Sequence, residues 1–199
     1  MSVQRPIRLP SPEFAQMELP MTEQACEFFW RVHDTGREVV HFSLNEAHRY
    51  SHALAPFPLL YMAERLETCL WERFGDDLLN SGAPVSRSLW MSRAISRIAV
   101  KGLRLCDLTS VQTRAVVRVD LSALHHPDLA VPQRWGLELQ RHPAGFEGIR
   151  YASRFDHEPC VALFGRPGMA ERLESRRVGL LGELPAADEF LLRHRIALI

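Results

Sequence analysis

"LLYMAERLETCLWE", Leu59 to Glu72, carries the transition on which the fold turns. Its opening residues, with Phe57 and Pro58 before them, are a compact apolar run that reads as a buried strand. From about Arg65 to Leu79 the spacing changes: Leu66, Leu70 and Phe74 recur at helical intervals and predict a helix with that stripe inward. A strand thus hands over to a helix just after Tyr61. Glu72 falls with Thr68 on the side away from the stripe, where periodicity alone predicts a solvated carboxylate.

The flanking segments read as more short elements. "CEFFWRVH" (Cys26 to His33) and "EVVHFS" (Glu38 to Ser43) are aromatic and β-branched enough to predict two strands, with Thr35-Gly36 as the turn between them. A polar loop spans Asn80 to Ser88. "RIAVKGLRLCDLT" (Arg97 to Thr109) predicts two strands around Gly102, and "RAVVRVDL" (Arg114 to Leu121) fits strand and helix equally. "DLAVPQRWGLELQRH" (Asp128 to His142) predicts a helix after Pro132 with Trp135, Leu137 and Leu139 inward. "GIRYASR" (Gly148 to Arg154) and "CVALFG" (Cys160 to Gly165) predict two strands joined by a hairpin loop. Short strands interspersed with a few helices make an α+β fold, a mixed β-sheet core with flanking helices. Residues 1–22, with Pro6, Pro10, Pro12 and Pro20, form an extended arm; residues 23–199 form a single domain.

Composition excludes several roles. Lys plus Arg and Asp plus Glu are 24 each, so no net field favours nucleic acid or an anionic membrane, and neither is expected as a partner. Lys101 is the single lysine; the remaining cations are arginines, which suit bidentate grips on carboxylate and phosphate. Cys26, Cys69, Cys106 and Cys160 are scattered without a C-x-x-C pair and predict buried thiols of a cytoplasmic protein. No apolar run approaches the ~18 residues a membrane span needs. Glycine-rich dinucleotide and P-loop motifs are absent, as is the G-x-S-x-G elbow. His48 and His52 are four apart, but Arg49 stands where H-E-x-x-H needs its glutamate, and His125-His126 has no ligand partner nearby, so no metal is expected.

"LLYMAERLETCLWE", "LRLCDLT" (Leu103 to Thr109) and "GIRYASR...CVALF" (Gly148 to Phe164), in that order, resemble the RES-domain proteins, toxins of bacterial toxin–antitoxin pairs. The likeness runs from about Trp30 to Phe164. It implies an ADP-ribosyltransferase-like fold and a protein that consumes NAD as substrate, with no resident cofactor. Such a protein cleaves the nicotinamide–ribose bond with water or phosphate as acceptor. It also implies an Xre-like antitoxin partner, and leaves a homo-oligomer open. Modification of a protein with ADP-ribose, or a catalytically impaired binding scaffold, are the alternative readings.

Carried onto this chain, the family's tyrosine and glutamate, eleven positions apart, fall on Tyr61 and Glu72. Its serine falls on Ser153, an early arginine on Arg31, and its named arginine on Arg49, followed by Tyr50. Around Arg49 the family's preceding glycine is His48, and its following Asn-Pro is Ser51-His52. The resemblance thus implies Glu72, Arg49 and Ser153 as catalytic residues, and Arg31, Tyr61, Tyr151 and Tyr50 as NAD-binding residues. The chemistry suits them, because a carboxylate stabilises an oxocarbenium-like ribose and arginines fork a pyrophosphate. Strand alternation puts Tyr151 and Ser153 on one face and Arg150, Ala152 and Arg154 on the other, away from the pocket.

Overall fold

A computed structural model describes residues 8–24, 28–52, 55–79 and 84–199. The start of the arm, Cys26 and the tip of the Asn80–Ser88 loop lie outside these residues. Along the described part of the arm, Phe14 is buried with its ring edge-on to Trp135 and His142, at centroid distances of 5.5 and 5.3 Å. The arm then leads into β1 (Thr22–Gln24), which joins the sheet and is followed by β2 (Phe29–Asp34).

The predicted handover follows as β3 (Leu59–Ala63) and α1 (Leu66–Leu79). Next come α2 (Arg87–Met91), β4 (Arg93–Ala99) and β5 (Leu103–Asp107). The segment that fitted two readings resolves as α3 (Val111–Val117), ended by Arg118 in the left-handed region, and α4 (Leu121–Leu124), capped by Asp120. α5 (Ala130–Arg141) starts two residues before Pro132, which the first turn tolerates because its amide needs no helical partner. Trp135, Leu137 and Leu139 all point inward. β6 (Gly148–Ala152), β7 (Pro159–Phe164), β8 (Glu174–Leu180) and α6 (Pro185–Arg193) complete the order.

The strands form a mixed sheet of order β1-β5-β6-β7-β3-β2-β4-β8, with β5 and β6 parallel and the other neighbours antiparallel. One face is covered by helices around Leu70, Phe74, Trp90 and Trp135. The other buries Phe29, Leu60, Met62 and Leu163 under loop residues such as Met169 and Leu173. The expected strand at Glu38–Ser43 is not formed; Ser43 makes an isolated bridge to Leu59. β2 already has β3 and β4 as neighbours, so no edge remains for a hairpin partner. Val39, Val40 and Phe42 instead pack on the second face.

Two departures from regularity shape the site. β2 and β3 share a single register pair, Trp30 with Ala63, whereas β2 and β4 align over six; the sheet therefore parts beyond Trp30. α1 is covered on two sides. Beside the predicted stripe, Thr68 is fully buried and its hydroxyl donates to Asp156 at 2.7 Å, and Gly75 lies against the Phe155 ring. The turn after β6 thus packs on the Thr68 side of the helix. Glu72 shares that side; it is exposed, as periodicity predicts, and its exposure is to a cleft.

Candidate functional site

The cleft is a cavity of about 510 Å³ between α1, the β2–β3 opening and the loop that precedes β3. Arg31, His48, Arg49, Tyr61, Glu72 and Tyr151 all contribute to its wall. Arg31, Arg49, Tyr61, Glu72 and Tyr151, far apart in sequence and predicted as site residues, are therefore brought to one place.

Glu72 is accessible through the cavity but enclosed by protein elsewhere, and that burial pushes its carboxyl pKa above the ordinary 4.5. A hydrogen bond from Ser153 and the charges of Arg49 and Arg154 oppose the rise without cancelling it. Ser153 is completely buried and does not line the cavity. Its Oγ accepts the Phe155 N–H at 3.2 Å, which leaves the hydroxyl proton to donate to Glu72. Ser153 therefore acts through Glu72.

Arg31 reaches through the parting of the sheet. Its Nη1 donates to the Tyr61 carbonyl at 3.1 Å and its Nη2 to the His41 carbonyl at 3.3 Å, while Nε is buried without a partner among the described residues. Burial lowers its pKa to about 10, so it stays a cation at neutral pH, and it has no carboxylate partner among the described residues. Arg49 is anchored by one bond, Nη1 to the Leu124 carbonyl at 2.9 Å. Two cations without salt bridges among the described residues thus share a cavity with the Glu72 carboxylate.

The tyrosines form a packed group. Tyr61 accepts the Tyr50 N–H on its hydroxyl at 3.1 Å, and its ring stands edge-on to His48 and Tyr151 at 5.1 and 6.4 Å. Tyr50 was expected to touch substrate; the structure buries it fully behind Tyr151, at 5.1 Å between centroids, and it does not line the cavity. The loop carrying His48, Arg49 and Tyr50 is fixed by α5. Gln133 donates its amide to the Glu46 and His48 carbonyls at 2.6 and 3.1 Å, and Gly136 lets the Tyr50 backbone approach.

Arg154 departs from its predicted place. β6 ends at Ala152, so alternation no longer applies to the turn that follows. Arg154 returns to the cavity wall, pairs with Asp76 and lies 4.7 Å over the Phe155 ring. Arg150 keeps to the other side and is bound to Glu64 and Asp107. His48, Asp76 and the cavity thiols Cys69 and Cys160 were not expected at the site. Of these, His48 had drawn notice for its spacing to His52, and the two cysteines as buried thiols. Burial pushes the Cys69 thiol up to about 12, which keeps it protonated. Among the described residues no group of three or more His, Cys, Asp or Glu side chains could hold a metal, and no helix is long and apolar enough to cross a membrane.

The RES domain family matches residues 28–180, most of the chain. The protein belongs to the RES domain family. A solved structure similar to this RES domain is a chain of the M. tuberculosis MbcT–MbcA toxin–antitoxin complex, with a TM-score of 0.68 and 20% identity, over 85% of this chain and 91% of that one. At that identity the likeness is one of fold. No curated protein matches the chain. In this RES domain the arginine and glutamate carried over from the family share the cavity wall, and the serine lies behind it: the Arg49 charge and a Ser153 hydrogen bond both bear on the Glu72 carboxyl.

Proposed function

We propose that this RES domain cleaves NAD at the nicotinamide–ribose bond. The observation that carries the reading is the pairing, in one cavity, of Glu72 with Arg31 and Arg49, cations that form no salt bridge of their own among the described residues. The pyrophosphate of NAD supplies the anion they lack, through charge-assisted bonds. A volume of about 510 Å³ lies within the usual range for small-molecule sites.

Glu72 then faces the ribose. As the C–N bond breaks, nicotinamide leaves with the bonding electron pair, and positive charge on the ribose is stabilised by the ionised carboxylate. Water or phosphate adds to the same carbon; water gives up a proton to solvent. Ser153 holds the Glu72 carboxylate in place, and Tyr61 offers an aromatic surface for a ring of the substrate. His48 in place of the family's glycine does not keep Arg49 out of the cavity, which favours an active enzyme over an impaired scaffold.

The toxin role, restrained by an antitoxin, is drawn from the family and from the toxin–antitoxin complex with the same fold. The decisive assay follows nicotinamide release from NAD by purified protein, with and without phosphate. Turnover in either buffer, lost in Glu72→Gln, supports the proposal; absence of turnover in both refutes it.

A further inference from the structure

His48 has a side chain whose hydrogen-bonding state is fixed by its neighbours. The Asn45 Oδ1 accepts the Ala47 N–H at 3.0 Å, which turns the Asn45 Nδ2 towards the ring. That amide nitrogen lies 3.2 Å from His48 Nε2 and can only donate, so Nε2 accepts and the ring proton sits on Nδ1. Nδ1 is buried and has no partner among the described residues. Protonating the ring would set an Nε2–H against the Asn45 amide hydrogens. Burial, and secondly the charge of Arg31, lower the pKa of His48 as well, so the ring is neutral at physiological pH.

The ring forms part of the cavity wall and stands edge-on to Tyr61, and the His48 backbone carbonyl is gripped by Gln133. A neutral donor unpartnered among the described residues, on a side chain that lines the cavity near the charge of Arg31, is a group that a ligand oxygen would satisfy once the ring turns towards it.

We propose that the His48 Nδ1–H donates to the phosphate end of bound NAD, next to Arg31, and so positions the substrate. The inference rests on the NAD reading above. It assigns His48 to ground-state binding: no proton is transferred and no bond is made.

The test uses two substitutions that keep different halves of the imidazole. Asparagine places an amide nitrogen near Nδ1; glutamine places its amide near Nε2. Binding of NAD and of ADP-ribose is measured by calorimetry on the full chain and on His48→Asn, His48→Gln and His48→Ala, with melting temperatures as the check on folding. His48→Gln and His48→Ala should weaken both ligands about tenfold, while His48→Asn stays close to the unsubstituted protein. Asparagine as weak as alanine, or all three binding like the unsubstituted protein, overturns the role of His48. If the unsubstituted protein binds neither ligand, the NAD reading itself fails, which is a separate result.

Discussion

Gly136 of α5 lies against the backbone of Tyr50: a Cβ on Gly136 would stand 2.4 Å from the Tyr50 carbonyl oxygen and 2.9 Å from its Cβ. Neither residue touches the cavity, yet their contact sets where Arg49 and His48 stand. Tyr50 also gives its N–H to the Tyr61 hydroxyl, so a shift there reaches both sides of the site.

Gly136→Ala should therefore damage activity more than stability. Overpacking against backbone costs about 1–3 kcal/mol, and the better helix propensity of alanine returns up to about 1 kcal/mol. The melting temperature should fall by a few degrees, and nicotinamide release should drop at least tenfold at 25 °C, where the variant is still folded. Calorimetric melting and the release assay, run on one preparation, check both. Full activity in a folded Gly136→Ala would mean that the loop does not depend on α5.

The pH dependence of turnover should report Glu72. Only the carboxylate stabilises a developing cation, so activity should rise with pH through an apparent pKa above 4.5, the direction set by burial. Stability moves the other way. A folded-state pKa raised above the unfolded one means the folded protein loses stability as pH climbs from the unfolded to the folded value, and keeps that loss above it. Glu72→Gln carries no such charge, so its melting temperature should equal or exceed that of the unsubstituted protein at pH 7, with the gap closing towards pH 4. Thermal melts across this range test the sign directly.

Ser153→Ala removes the hydroxyl that donates to Glu72 and the oxygen that accepts from Phe155. Two consequences separate the roles. A buried N–H left without its acceptor should cost about 1–3 kcal/mol of stability. Loss of the bond that lowers the Glu72 pKa should move the acid limb of the activity profile to higher pH, while NAD affinity changes little. A unit drop in activity with an unmoved acid limb would show that Ser153 contributes only to folding.

The parts of the fold that were readable are those governed by one local period. β3 passing into α1, and the β6–β7 pair, follow from apolar runs and spacing within about fifteen residues. Glu38–Ser43 was misread because its composition signals burial and not pairing; no sheet edge was open to it. Periodicity put Glu72 on the exposed side, where it lies, but could not place it in a cleft, because it sees one partner for a helix. The turn from Ser153 to Glu158 supplies the second, through Thr68 and Gly75. Arg154 was misplaced because alternation was carried two residues past the end of the strand. His48 was dismissed on the spacing of a metal motif; its tautomer depends on Asn45 and Ala47, and its place on Gln133, contacts that no period records.

Arg150 offers the converse of the site mutations. It grips Glu64 with two bonds, at 2.7 and 3.2 Å, and reaches Asp107 at 3.0 Å and the Thr109 hydroxyl at 2.8 Å, all outside the cavity. These side chains are mostly buried, so Arg150→Met should leave two carboxylates without their cation and cost about 3 kcal/mol. Affinity for NAD at 25 °C should remain within about twofold, since no atom of this network lines the cavity. Melting at pH 7, together with calorimetric NAD binding, distinguishes this strut from the neighbouring Arg154, whose replacement should affect the cavity and leave the melting temperature nearly unchanged.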